Sequence, residues 1–212
     1  MYYIIYLSSI VKGEIVMERN INLTDIKNLA SEMSKSNMIS YDELPQYDLF
    51  LSQVIDFLND KFVDEKYTNN IVQNYIKSEV ITKPEDGKKR GYTKLHLVQL
   101  VLLSYMRPIL TTEEIKKVFR LAFNEINDRS DDIISWEKAY KIFSEIQEES
   151  YNSFLTNSIE SEAKLDEIIK GLDLKEKDEE RIRVFILVIS LIAQASVIKK
   201  LVQKIATEYS VE

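Results

Sequence analysis

The sequence predicts an all-α protein, a helical bundle containing a winged helix-turn-helix with one small β-hairpin as the wing. Three observations point there. Only 4 Gly and 3 Pro occur in 212 residues, so the turn signals that a β-sandwich or barrel needs about every 10 residues are missing. Apolar residues recur at helical spacing along most of the chain. The composition, 45% hydrophobic and 30% charged, is globular and long enough for one large core or two small ones.

Taken from the start, Met1–Ile10 is apolar, but no positive charge precedes it and no small-residue cleavage site follows. It is a poor signal peptide. Met17, followed by a polar and well-capped segment, is an alternative start codon to Met1, and Met1–Val16 is expected to be a poorly structured extension. Thr24 is placed to cap a helix Asp25–Ser36 with Ile26, Leu29, Ala30 and Met33 on one face. Ser40–Gln46 is a break around Pro45. Leu49–Phe62 follows, with Val54, Ile55 and Leu58 among its apolar positions. Val63–Tyr67 connects it to Asn69–Ser78, which Thr68 can cap.

Val80–Tyr92 holds Pro84, Gly87 and Gly91 and is the one stretch with hairpin chemistry. Thr93 caps Lys94–Met106, a helix apolar nearly all round and therefore central to a core. Pro108 ends it, and Thr111, Thr112 and Glu114 resemble a capping box that opens Glu113–Asn127. Polar Asn127–Ile134 reads as a boundary. Beyond it the pattern gives helices Ser135–Phe154, Ile159–Lys170 (stopped by Gly171) and Lys175–Glu208. The expected organisation is a 1–40 extension and helix, a 41–127 helix-turn-helix domain, and a 128–212 helical region for packing, dimerisation or effector binding. Val184–Ile198 runs 15 residues without a charge. That is short of the ~20 a spanning helix needs, so a buried or dimer-forming helix is expected, in a soluble cytoplasmic protein with no membrane segment.

Much chemistry is excluded. With 0 Cys there are no disulfides, thiolate metal sites or cysteine nucleophiles, and a reducing compartment fits. The 1 His, His96, lies between Leu95 and Leu97 without a companion for general-base work, so it reads as structural. Trp136, Tyr140 and Phe143 form a core stripe, and Glu145, Glu148 and Glu149 a solvated face. No nucleophile–base pair, phosphate loop or metal spacing appears. The expectation is no enzyme, no cofactor and no metal.

Charge is distributed unevenly. The chain carries -7 overall. Lys66–Arg107 holds 8 Lys and Arg against 3 Asp and Glu, a local +5, and the remainder is -12. A basic window inside an acidic protein is the footprint of a polyanion site. Within it, Asn69–Ser78 places Ile71, Val72, Tyr75 and Ile76 on one face and Asn69, Asn70, Gln73, Asn74 and Lys77 on the other. A solvated face is usually rich in Glu and Lys. Amides instead donate and accept, and they pair bidentately with adenine N6 and N7 in the major groove. Lys88, Lys89 and Arg90 follow between two glycines, as a basic wing tip suited to phosphates.

The stretch from Tyr67 to Phe119 resembles a MerR-type winged helix. NIVQNYIK stands as the recognition helix, Val80-Ile81 as a short strand, then Pro84, the wing Lys88–Tyr92, the leucine-rich helix Lys94–Met106 and the helix start Leu110–Val118. With LPQYDLFLSQVIDFLNDKF ahead of it, the segment Leu44–Phe119 is most similar to the family DUF1836, itself MerR-like. The resemblance implies that Asn69, Asn70, Gln73, Asn74 and Lys77 face the major groove and that Lys88, Lys89 and Arg90 hold the DNA backbone. Asn74 replaces the Arg usual before the Tyr of this helix, and the C-terminal region lacks a clean heptad. The expected function is a sequence-specific DNA-binding transcriptional regulator, a homodimer on double-stranded DNA with Ile182–Leu201 as its candidate interface. The small-molecule effector stays unspecified. The alternative is a helical protein–protein interaction module.

Overall fold

The computed structural model describes residues 28–33, 38–85, 87, 90–172 and 174–208, without the side chains of 154–164, 166, 176 and 177. Residues 28–33 are helical; Thr24 and the ends of the expected first helix lie outside the described residues, as does Met1–Val16. A 3-10 turn Tyr41–Glu43 leads into α1 (Leu51–Lys61), α2 (Asn69–Lys77), α3 (Lys94–Met106), α4 (Thr112–Arg120), α5 (Trp136–Lys170) and α6 (Glu176–Glu208). The described part is mostly helical.

α3 is the hub. Leu97, Val98, Leu100, Val101 and Leu103 are all buried, around the whole circumference, as an apolar helix without a polar face requires. Val54 and Leu58 of α1, Val72 of α2, Ile115 and Phe119 of α4, and Trp136 and Tyr140 of α5 belong to the same core. Trp136 stacks on Phe123 with ring centroids 3.5 Å apart and meets Phe119 edge-on at 5.1 Å. The Tyr140 hydroxyl donates to the Ile39 carbonyl at 2.8 Å and so ties the approach to the 3-10 turn onto α5. Thr68, Thr111 and Ser135 each accept a backbone N–H at a helix start, the caps that their positions imply.

Three elements differ from the sequence expectation. First, no strand occurs among the described residues, those of 80–92 included, where a β-hairpin was expected; the isolated bridges among them are Leu49 with Tyr92 and Glu125 with Asp128. The outgoing arm has its donors engaged elsewhere. The N–H groups of Val80 and Ile81 go to the Tyr75 carbonyl, that of Thr82 to the Gln99 side chain and that of Lys83 to the Asn127 side chain. The returning arm pairs through Tyr92 with Leu49 instead, at 2.8 and 3.3 Å.

Second, α4 stops at Arg120 rather than Asn127. The N–H groups of Ala122 and Phe123 both close on the Phe119 carbonyl, which tightens the last turn and swings Phe123 onto Trp136. Asn124 then donates to the Asp131 carbonyl at 2.7 Å. Third, the two helices expected in 135–170 are one, because 155–158 contains neither Gly nor Pro to break it.

α6 packs against α5 and reaches α4, where Val202 joins the core and Ala206 is buried. Its middle is not the buried core helix that apolarity allows. Phe185, Val188, Ile189, Ile192, Val197 and Ile198 are exposed, Val197 at 66%. By length and composition Asp178–Glu208 also suffices to cross a membrane, and 0% of its most apolar window is buried.

Candidate nucleic-acid interface

α1 and α2 are joined by a turn that local chemistry fixes. The Asn59 side chain donates to the Tyr67 carbonyl at 3.1 Å and accepts the Tyr67 N–H at 2.7 Å. The Tyr67 ring is buried and its hydroxyl meets Ser104 of α3 at 2.8 Å. Arg107 lies 4.6 Å over that ring and pairs with Glu65 at 3.0 Å. Val72, fully buried, seats α2 in the core. α2 therefore has one possible rotation about its axis.

That rotation leaves Asn69, Asn70, Asn74 and Lys77 exposed on the opposite face. Gln73 is half-buried, and its Nε2 donates to the Tyr92 hydroxyl at 3.2 Å. Burial pushes the Tyr92 phenol up, and the Gln73 bond partly offsets it. Gln73 is thus engaged inside the protein, while its three asparagine neighbours keep free faces. At the C-terminal end of α2, Glu79 takes the left-handed conformation (φ 55°) that turns the chain away into the loop.

The loop over 82–92 turns at Gly87, whose φ of 81° suits glycine. Lys88 and Lys89 lie outside the described residues. Arg90 is exposed, with its guanidinium 5.0 Å over the Phe50 ring at the start of α1. The returning arm is anchored by Tyr92, 6% exposed, which bonds to Leu49 and stands edge-on to His96 at 5.5 Å. His96 is itself buried, and its Nδ1 accepts the Thr93 N–H at 3.0 Å to cap α3. Its Nε2 is buried without a hydrogen-bond partner. Desolvation holds the imidazole below its usual range.

The structure therefore brings the amide-bearing helix and the returning arm of the basic loop into contact through Gln73 and Tyr92. Sequence reading missed what holds the outgoing arm. Gln99, 0% exposed, accepts the Thr82 N–H at 2.9 Å and donates to the Thr82 hydroxyl at 2.8 Å. That hydroxyl donates in turn to the Ile126 carbonyl at 2.8 Å. The available signal was a lone amide inside an otherwise apolar helix, since a buried polar group must find a partner. Among the described residues no group of three His, Cys, Asp or Glu could hold a metal ion.

No solved structure matches the chain. A curated relative, the uncharacterized protein YkrK of Bacillus subtilis (strain 168), is 39% identical over 67 residues, 30% of this chain. The match spans 28% of that relative's length. Residues 39–143 match a family model described as Domain of unknown function (DUF1836), an interval that contains α1 to α4, the basic loop and the start of α5.

Proposed function

We propose that this chain is a sequence-specific DNA-binding protein, a dimeric transcriptional regulator of MerR-like type. In this reading α1 and α2 form the helix-turn-helix and α2 enters the major groove. Asn69, Asn70 and Asn74 read base edges, with adenine as the base that an amide pairs best. Lys77 and the tip Lys88, Lys89 and Arg90 contact phosphates and set the register. The 82–92 loop acts as the wing without strands of its own.

The observation that carries the proposal is the Gln73–Tyr92 bond at 3.2 Å, which joins the exposed amide face to the arm bearing Arg90. Gln73 then positions the loop rather than reading bases. One recognition helix reads one half-site, so a dimer is required, and α6 supplies an exposed apolar surface for it.

The test is duplex binding on fragments selected from the source genome, measured as a function of salt. Replacing Lys88, Lys89 and Arg90 by Ala removes three phosphate contacts and should flatten the slope of log K against log salt by about 2.7. Asn74→Ala should weaken the selected sequence and leave the salt slope unchanged. Equal retention of triple variant and wild type sinks the proposal. A second reading, a helical protein–protein interaction module, draws on the same exposed α6. A stoichiometric protein partner, with no nucleic acid bound at low salt, would favour it.

A further inference from the structure

Phe50 is a half-buried aromatic with no place in the core. Leu49 before it is buried and Leu51 after it packs against the core, whereas Phe50 belongs to neither group. Its backbone is fixed on both sides. The Gln53 side chain accepts the Phe50 N–H at 3.0 Å at the start of α1, and Leu49 exchanges two hydrogen bonds with Tyr92, at 2.8 and 3.3 Å. That antiparallel bridge brings the residue after Leu49 alongside the residues before Tyr92. The Arg90 guanidinium accordingly lies 5.0 Å over the Phe50 ring. We propose that, in the DNA-binding reading on which this rests, Phe50 is a positioning residue that holds Arg90 ready for a phosphate of the backbone.

Two features of the contact select this role. First, it leaves the donors of Arg90 unused. An aromatic face attracts the guanidinium through its charge and planar surface and takes none of its N–H groups as hydrogen bonds. The side chain is exposed, and among the described residues none pairs with its guanidinium or hydrogen-bonds to it. Its donors stay available for bidentate contact with a phosphate.

Second, the ring restrains what the backbone anchors do not. Leu49 and Gln73 fix the returning arm through Tyr92. An anchored backbone still leaves a long arginine side chain to sample its rotamers. Contact with the ring narrows that choice before DNA arrives, so less freedom is lost on binding.

The test uses duplex selected from the source genome, bound across a range of salt by full-length wild type and four variants: Phe50→Leu, Phe50→Trp, Arg90→Ala, and Phe50→Leu with Arg90→Ala. Phe50→Leu keeps an apolar side chain and removes the aromatic face. It should weaken binding about two- to fivefold, the size of an exposed contact of this kind. The salt slope should not change, because Arg90 still displaces its counterion, whereas Arg90→Ala should flatten it by about 0.9. Phe50→Trp should restore wild-type affinity or exceed it, since indole is the stronger partner. Without Arg90, Phe50→Leu should have no further effect. Equal affinity of Phe50→Leu and wild type, no rescue by Trp, or a full effect of Phe50→Leu without Arg90 each overturns the proposal and leaves DNA binding itself standing. No duplex bound by wild type overturns both readings. Should Phe50→Leu fail to fold, NMR relaxation at the Arg90 Nε in the free wild-type protein decides: a restricted guanidinium is expected, and a freely mobile one overturns the proposal.

Discussion

Replacing Gln99 by Leu isolates the contact that anchors the basic loop. Gln99 is fully buried between Leu97, Val98, Leu100 and Val101, so Leu fits the apolar surroundings in size and polarity. What disappears is the acceptor of the Thr82 N–H at 2.9 Å and the donor to the Thr82 hydroxyl at 2.8 Å. The hydroxyl keeps its bond to the Ile126 carbonyl. The N–H is left without its partner, a loss of about 1–3 kcal/mol. At about 2 kcal/mol, a chain of this length should melt roughly 4–8 °C lower. Thermal unfolding followed by circular dichroism gives the shift, and hydrogen exchange at the Thr82 amide locates it. In a cycle with Thr82→Val the two losses should be partly non-additive, because both remove the bond from Gln99 Nε2 to the Thr82 hydroxyl, whereas Thr82→Val keeps the backbone N–H on Gln99 and loses the bond to Ile126. A melting temperature within about 1 °C of wild type, with Thr82 still protected, would refute the reasoning, given the magnitude above.

Two further outcomes follow from single groups. His96 is buried in its neutral form, and its proton affinity is depressed by desolvation. The unfolded chain therefore binds the proton first, from about pH 6.5 downward. Stability should be fully present above that pH and fall as pH drops toward the lowered folded value, and His96→Gln should flatten this limb in denaturant titrations between pH 7 and 5. Acidic groups titrate lower still, so an unchanged limb in His96→Gln would remove His96 from the account. On α6, Ile189 and Ile192 are 48% and 58% exposed. If α6 is the dimer interface, Ile189→Glu with Ile192→Glu should halve the sedimentation mass while melting of the α1–α4 core is retained; a wild-type monomer at micromolar concentration would end the dimer proposal.

The helices were legible where the sequence carried both a period and a stop. Lys94–Met106 is bounded by Thr93 and followed by Pro108, and it is α3 residue for residue. Trp136, Tyr140 and Phe143 recur at helical spacing and lie against the core. Where stops were read from composition, the reading failed. A gap was expected at 155–158, yet Thr, Asn and Ser do not break a helix when Gly and Pro are absent. The described arms of the expected wing lack strands for a different reason. A hairpin signal in Gly and Pro says that the chain turns, whereas strand formation depends on whether facing N–H groups are unclaimed. Here Gln99, Asn127 and the Tyr75 carbonyl claim them, from positions between 5 and 44 residues away.

α6 shows how far an apolar pattern can constrain its own surroundings. Residues 184–198 offer 15 positions without a charge, a length of about 22 Å against a hydrocarbon core of about 30 Å. The acidic helix α5, with exposed Glu145, Glu148 and Glu149, packs against it, and Val202 and Ala206 hold its far end to the protein core. Placing this helix in lipid would require stripping it from both neighbours or carrying their charges with it. Leaving it in water would keep a contiguous apolar surface open of the kind that monomers seldom tolerate. In the proposed dimer a second copy of α6 would cover the apolar middle and leave the carboxylates of α5 in solvent. That geometry makes the proposed DNA reading and the proposed dimer separable: charge reversal on α6 should abolish cooperative occupancy of paired half-sites, whereas loss of the amide and basic side chains should abolish occupancy of either one.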